Sequence, residues 1–154
     1  MKKILLIAAF LLSGSTAFSQ TADKIFSDLK SNEGVYYMEI TKEMIEMARA
    51  TGDDKAFGKM KDLDNIKLME IGDADTIGEM RLKLSSLEKG GYKVLIEEQS
   101  QNGEQVTIYT LTKGNITKEL LTIAQDSNNC QLMLYKGLDS GSFINFLKMS
   151  SASF

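Results

Sequence analysis

The pattern of hydrophobic and polar positions early in the chain changes from a helical period to a strand period. Residues 22–30, ADKIFSDLK, carry apolar residues at helical spacing, which predicts a helix with one apolar stripe. The apolar positions of this helix are Ala22, Ile25, Phe26 and Leu29. Gly34 follows the helix, and residues 35–40, VYYMEI, are rich in aromatic and β-branched types, which predicts a strand.

A second helix is predicted directly after this strand. Thr41 is a candidate N-cap, Glu43 falls in the first turn and Gly52 ends the helix. The residues that line one side of the helix are Met44, Ile45 and Ala48.

The next stretch, residues 53–65, has a mixed pattern that predicts a short helix. Its apolar positions are Phe57, Met60 and Leu63. Residues 66–71, IKLMEI, predict a second strand. Because helical residues separate the two strands, we expect the strands to be parallel neighbours joined by a right-handed crossover.

The clearest helical pattern covers residues 76–89. Its apolar residues recur at i, i+3, i+7 and i+10, and they are Ile77, Met80, Leu84 and Leu87. Thr76 and Glu79 fit a capping box at the start, and Gly90-Gly91 fits the end.

From Tyr92 onward the hydrophobic period is two, which predicts a four-strand antiparallel meander. The four segments are YKVLIEE, QVTIYTLT, ITKELLTIAQ and CQLMLYKG, and turn-type residues connect them. Residues 116–125 also fit a helix, with Ile116, Leu120, Ile123 and Ala124 on one face. The short flanking turns favour a strand.

Residues 142–150 predict a closing helix capped by Ser142. Together these elements predict one α+β domain over residues 20–154, with no repeat or linker. Its sheet is expected to be mixed but mostly antiparallel, to contain about six strands and to carry helices packed on one face.

The first 19 residues have the three-part layout of a secretory signal peptide. Lys2 and Lys3 are followed by an apolar run over residues 4–12 and then by small residues. The apolar run is too short to span a bilayer, which takes about 20 residues. Cleavage is expected after Ser19, and the mature chain is expected to begin at Gln20 as a soluble periplasmic or secreted protein.

Composition excludes several classes of function. The chain has no His, so a Ser-His-Asp triad and imidazole metal ligands are excluded. Its single cysteine, Cys130, cannot form an internal disulfide, and its place in an apolar strand predicts a buried, inert thiol. The net charge of −3 becomes −5 when the two leader lysines are removed, which disfavours binding to nucleic acid.

No set of acidic residues in the sequence matches a metal-binding loop. Asp73 and Asp75 resemble the start of a calcium loop, but Ile77 stands at its fifth position and Leu84 at its twelfth. We therefore predict no metal, no cofactor and no catalytic residue, and we interpret the protein as a non-enzyme.

Methionine is the residue type most suggestive of binding. Six of the nine methionines lie between residues 38 and 80, and methionine is common at adaptable binding surfaces. One hypothesis is a groove lined by Met44, Met47, Met60 and Met80. The alternative is that these side chains fill an irregular core.

The mature chain resembles a family of small exported bacterial proteins defined as a domain of unknown function (DUF4252). The similarity covers residues 23–147. The similar segments are DKIFSDLK, VYYMEITKEMIEMA, LDNIKLMEI, GYKVLIEEQSQNGEQVTIYTLTKGNITKELLTIA and CQLMLYKGLDSGSFINFL. The resemblance implies an envelope or secreted protein of a Gram-negative bacterium. Many relatives look like lipoproteins, whereas this chain has no cysteine after its apolar leader.

These observations lead to two hypotheses about function. The first is a non-catalytic exported module that binds a partner protein, with envelope signalling as one setting. The second is a carrier of a small apolar ligand such as a lipid, held between the sheet and the Met- and Leu-rich helix faces. Neither hypothesis involves nucleic acid or a membrane-spanning segment in the mature chain.

Overall fold

The computed structural model describes residues 21–52 and 62–138 of the chain. The helices are α1 (Ala22–Leu29), α2 (Lys42–Ala50) and α3 (Ala74–Leu84), and a short 3₁₀ helix spans Leu87–Gly90. The strands are β1 (Val35–Ile40), β2 (Asn65–Ile71), β3 (Tyr92–Gln99), β4 (Gln105–Lys113), β5 (Ile116–Gln125) and β6 (Cys130–Lys136).

The six strands form one sheet in the order β1-β2-β6-β5-β4-β3, and each neighbouring pair is antiparallel. The predicted α+β class, the six strands and the C-terminal meander of β3 to β6 are confirmed. Residues 116–125 form the strand β5, as the flanking turns favoured.

The expectation that the first two strands are parallel is wrong. Ile40, the last residue of β1, pairs with Ile66 near the start of β2, so the chain re-enters the sheet at the end where it left. A parallel crossover has to traverse the length of the sheet before the second strand begins. The α2 segment instead acts as a long insertion between two antiparallel strands.

Helices cover both faces of the sheet rather than one. On the first face, α1 and α3 pack over a core that includes Phe26, Met80 and Leu121. On the second face, Ile45 of α2 packs with Ile66, Leu120 and Tyr135. The expectation of helices on one face therefore holds for α1 and α3, whereas α2 lies on the other face. The reason is that β2 and β6 carry apolar residues on both faces, and both faces need cover.

Asp73, rather than Thr76, is the N-cap of α3. The carboxylate Oδ2 of Asp73 accepts hydrogen bonds from the backbone N of Thr76 at 2.8 Å and from its hydroxyl at 2.9 Å. The helix ends at Leu84 because the Ser85 and Ser86 hydroxyls donate to carbonyl oxygens of its last turn. The predicted helix over residues 76–89 is therefore two elements, and Gly91, with φ +92°, ends the second one.

Three predicted features lie outside the described residues. They are the leader of residues 1–19, the closing helix of residues 142–150, and Phe57 and Met60 of the short helix. Within residues 21–52 and 62–138, none of the helices is long and apolar enough to cross a membrane.

Candidate functional site

The structure does not bring the predicted methionine groove together. Met44 and Met47 on α2 are 53% and 68% exposed. Met80 belongs to α3, which covers the opposite face of the sheet, and its side chain is fully buried between α3 and the sheet. Met60 lies outside the described residues. Met80 therefore belongs to the core, as the alternative interpretation held, and the groove hypothesis fails for it because α2 and α3 cover different faces.

Four of the eight large apolar side chains that are exposed among the described residues lie on β1 and α2. Tyr36 and Met38 of β1 are 57% and 39% exposed, and their alternation along the strand places them on the same side of the sheet as α2. Together with Met44 and Met47 they form what we term the β1–α2 surface. Two elements thus present four large apolar side chains within residues 36–47.

The position of α2 explains why its methionines face solvent. The Thr41 hydroxyl caps the helix by accepting a hydrogen bond from the backbone N of Met44 at 3.4 Å. Ile45 is fully buried in the second core, so the side of α2 that carries Met47 is turned away from the sheet.

The first face of β1 is fixed by contacts with α1 and β2. The Tyr37 ring lies edge-on to Phe26, with 6.3 Å between ring centroids, and the Lys30 ammonium is 5.8 Å from the Tyr37 centroid. Burial, with the neighbouring Glu39 carboxylate, raises the pKa of Tyr37 to about 12, and its hydroxyl donates to Glu39 at 2.9 Å. Asn65 also donates to Glu39, at 2.7 Å. β1 is thus anchored on one face, whereas Tyr36 and Met38 are exposed on the other.

A second candidate site is an ionic cluster beside the first turn of α1. Asp23 accepts from Lys67 of β2 at 2.6 Å and from Lys136 of β6. Lys136 lies 3.7 Å from Glu119 of β5, which accepts a hydrogen bond from the Tyr92 hydroxyl. We term these five residues the Asp23 cluster. A second hydrogen-bonded contact joins the cluster to α1, because the backbone N of Ala22 donates to the Tyr92 hydroxyl oxygen at 3.2 Å.

The groups of the Asp23 cluster stabilise one another's charges. Burial raises the pKa of Asp23, but the hydrogen bonds and charges of Lys136 and Lys67 outweigh it and hold the pKa below its ordinary value. Burial lowers the pKa of Lys136, and its bond to Asp23 more than reverses this. Four of its five residues, all except Tyr92, line an open cleft of about 580 Å³. Because its acids and lysines already pair, we interpret it as a polar network that links α1 to four strands, β2, β3, β5 and β6.

The Asp23 cluster predicts a loss of stability in acid. Folding lowers the pKa of the Asp23 carboxyl, so this group stabilises the protein when the pH is above its ordinary pKa of 3.8. The contribution is lost as the pH falls through the lower pKa of the folded state. Asp23→Asn is expected to lower the free energy of unfolding by about 1 kcal/mol at neutral pH, a small value because the carboxylate is 36% exposed to solvent.

The check for this prediction is urea unfolding of both proteins between about pH 7 and about pH 2. Asp23→Asn should lose less stability on acidification than the parent protein. Glu98→Gln, at an exposed position of β3, is the matched control and should follow the parent curve. Parallel curves for the parent and Asp23→Asn would contradict the assignment.

A third candidate site surrounds Cys130. Its side chain is buried, as predicted, and burial raises the pKa of the thiol to about 11, which disfavours the reactive thiolate. An open cleft of about 420 Å³ beside it is lined by polar groups such as Glu70, Asp126 and Asn129. In the two described ranges, no three carboxylate or thiol side chains converge as a metal site would require.

Sequence reasoning missed Tyr36 and Met38 as surface residues. The signal was present in VYYMEI, because apolar residues occupy both alternating sets of positions in this strand. The two sets point to opposite faces of the sheet, and the set that contains Tyr36 and Met38 is exposed on the second face. The pattern does not reveal which strand is at the edge, and that had to come from the sheet order.

Comparison with known proteins defines the family of the chain. A family model described as "Domain of unknown function (DUF4252)" matches residues 26–146, a range that contains all six strands. Neither the curated proteins nor the solved structures give a match. Since the family model covers well over half of the 154 residues, the chain belongs to the DUF4252 family of proteins that share a domain of unknown function.

Proposed function

We propose that this protein is an exported, non-catalytic module that binds a partner protein chain through the β1–α2 surface. The observation that carries the proposal is the exposure of Tyr36, Met38, Met44 and Met47 on one side of the sheet. Exposed apolar groups gathered in one region commonly mark interaction sites, whereas single scattered ones are normal.

The chemistry of the surface suits a protein partner. Methionine side chains are flexible and polarizable, so Met44 and Met47 can adapt to a partner's contour. Tyr36 combines a large apolar ring with a hydroxyl that can stay hydrated at a rim. β1 also offers a strand edge, to which an extended segment can add by backbone hydrogen bonds.

The carrier hypothesis receives less support from the described residues. Carriers of apolar ligands bury most of the ligand in a largely apolar pocket. The three clefts described along the sheet are open and carry charged side chains, including Glu70, Arg81 and Lys67. The core between α1, α3 and the sheet is filled by their own side chains.

Export is the part of the proposal that rests on sequence. The basic, apolar and small segments of residues 1–19 support secretion across the inner membrane, and the expected mature terminus is Gln20. Envelope signalling is a setting in which a small non-catalytic binding protein has a role.

The experiment that tests the proposal places a photoreactive amino acid at Tyr36 or Met47 in the source bacterium. Illumination is expected to give a discrete covalent adduct with a protein, recovered in the periplasmic or secreted fraction, and mass spectrometry is expected to find Gln20 as the first residue. Leu82, 75% exposed on α3 at the other face, is the matched control position. Adducts of equal yield at Leu82, or a product that retains Met1, would refute the proposal.

A further inference from the structure

β1 is an edge strand of the sheet. The sheet order places β1 and β3 at the two ends, and β2 is the single neighbour of β1 within the part of the chain that the structure describes. An edge strand presents unpaired backbone N–H and C=O groups to solvent, and these can pair with another chain.

The two edges of the sheet differ in protection. β3 contains an extra residue between Val94 and Ile96, a β-bulge, and carries the charged residues Lys93, Glu97 and Glu98. Bulges and charges are the features by which natural sheets block edge pairing. β1 has an unbroken register with β2 over residues 35–40, and Glu39 is its only acidic or basic residue. Among the described residues, a bulge and charges therefore protect the β3 edge, whereas neither feature interrupts the β1 edge.

We propose that the β1 edge pairs with the same edge of a second copy of this chain, so that two β1 strands run antiparallel about a two-fold axis. This inference rests on the proposed function and names the partner at the β1–α2 surface. A contact between two identical edges closes on itself, whereas a contact between unlike edges would continue into a fibre. Because the bulge and charges of β3 disfavour pairing at the other edge, the assembly is expected to stop at two copies.

The sequence of β1 fixes the register of this pairing. Residues directly opposite each other in an antiparallel pair lie on the same face, so the axis must pass through a residue rather than between two. An axis at Met38 places Tyr37, whose hydroxyl already donates to Glu39 of its own chain, opposite Glu39 of the second copy, so that no carboxylate faces another carboxylate. On the other face it places Tyr36 opposite Ile40, and Met38 opposite itself. No charged side chain faces a like charge.

The neighbouring register is less complementary. An axis at Tyr37 would place Val35 opposite the Glu39 carboxylate of the second copy, which sets an apolar side chain against a charge. Either axis covers Tyr36 and Met38, the two exposed apolar residues of β1, so the placement of Glu39 decides in favour of the axis at Met38.

The first test is the mass of the purified protein in solution by sedimentation equilibrium. Twice the chain mass is expected as the concentration approaches about 0.1 mM, a high range chosen because a strand-edge interface is small. Met38→Lys, which opposes two ammonium groups at the axis, is expected to raise the dissociation constant about tenfold or more. Gln131→Lys makes the same charge change at an exposed position of the central strand β6 and should leave the dimer intact.

The second test reads the register directly. Directly opposed residues of antiparallel strands have Cα atoms about 4.5 to 5.5 Å apart, which is within the span of a disulfide. Met38→Cys is therefore expected to cross-link to itself under mild oxidation, whereas Val94→Cys on β3 is not. The native Cys130 is buried and does not compete.

The results separate the second-copy inference from the proposed binding function. A monomer at every concentration, a dimer that Met38→Lys does not weaken, or cross-linking of Val94→Cys in place of Met38→Cys would overturn the second-copy inference. If the purified protein is a monomer while photoreactive Tyr36 captures a different protein in cells, the binding function stands and only the identity of the partner is wrong.

Discussion

Gly137→Ala is expected to lower the free energy of unfolding by about 3 kcal/mol or more. Gly137 has φ +80°, a conformation that costs a residue with a Cβ about 1–2 kcal/mol. An added Cβ would also lie 2.5 Å from the carbonyl oxygen of Asp62 and 2.7 Å from Oδ2 of Asp64. The first overlap is with backbone, so it cannot be relieved by rotation of a side chain.

The backbone around Gly137 has little freedom to move away. The N of Gly137 donates to the carbonyl of Lys118 on β5 at 3.0 Å, and the N of Asp64 donates to the carbonyl of Lys136 at 2.9 Å. The segment that enters β2 is therefore hydrogen-bonded to the end of β6. A shift there would also displace Lys136, which bonds to Asp23 in the Asp23 cluster.

Gly103→Ala separates the two contributions. Gly103 has φ +84°, yet nothing lies within 4 Å of a Cβ built on it. Its substitution is expected to cost only the conformational part, about 1–2 kcal/mol. Urea unfolding of both variants measures the difference. Equal losses for Gly103→Ala and Gly137→Ala would show that the Asp62 contact adds nothing.

The sequence predicts local features of this fold where a residue acts on its near neighbours. The stripe of Ile25, Phe26 and Leu29 is buried as its spacing predicts. Thr41 caps α2 through a hydrogen bond to a residue three positions away. The β5 strand follows from its short flanking turns. Each of these features is decided within a few residues, so the pattern alone is sufficient.

Features that join distant segments could not be predicted in this way. Asp23 and Lys136 are 113 residues apart in the chain, and their contact exists only once β6 lies between β2 and β5. The antiparallel register of β1 and β2 depends on where the insertion containing α2 returns the chain. A smaller error is local: the sequence pattern predicts Thr76 as the cap of α3, whereas the Asp73 carboxylate accepts the hydrogen bond from the backbone N of Thr76.

The sequence predicted only the α2 half of the β1–α2 surface. The concentration of methionines drew attention to Met44 and Met47, which are exposed, but it also included Met80, which is core. Helical spacing identifies an apolar face without saying which face of the sheet the helix covers. The edge position of β1 was invisible, since any of the six strands could have occupied that place.

Phe26→Ala is expected to lower the free energy of unfolding by about 3–5 kcal/mol, the usual range for deleting a buried phenylalanine ring. Phe26 is almost fully buried in the core between α1, α3 and the sheet, where Met80 and Leu121 belong to the same cluster. The loss includes the apolar area of the ring and the cavity that it leaves. It also includes the edge-on contact with Tyr37, the residue that anchors β1 on this face.

The contact between Phe26 and Tyr37 predicts an effect of Phe26→Ala that is larger in β1 than elsewhere in the sheet. Because Phe26 packs against Tyr37, its removal should loosen β1 more than the central strand β5, and amide hydrogen exchange should accelerate more in residues 35–40 than in residues 116–125. Leu82→Ala, at a side chain 75% exposed on α3, is the control and should change stability by no more than about 0.5 kcal/mol. A Phe26→Ala protein as stable as Leu82→Ala, or one whose exchange accelerates uniformly, would show that α1 does not hold the edge strand. In that event the anchoring of β1 would have to come from its pairing with β2 and from the Glu39–Asn65 hydrogen bond alone.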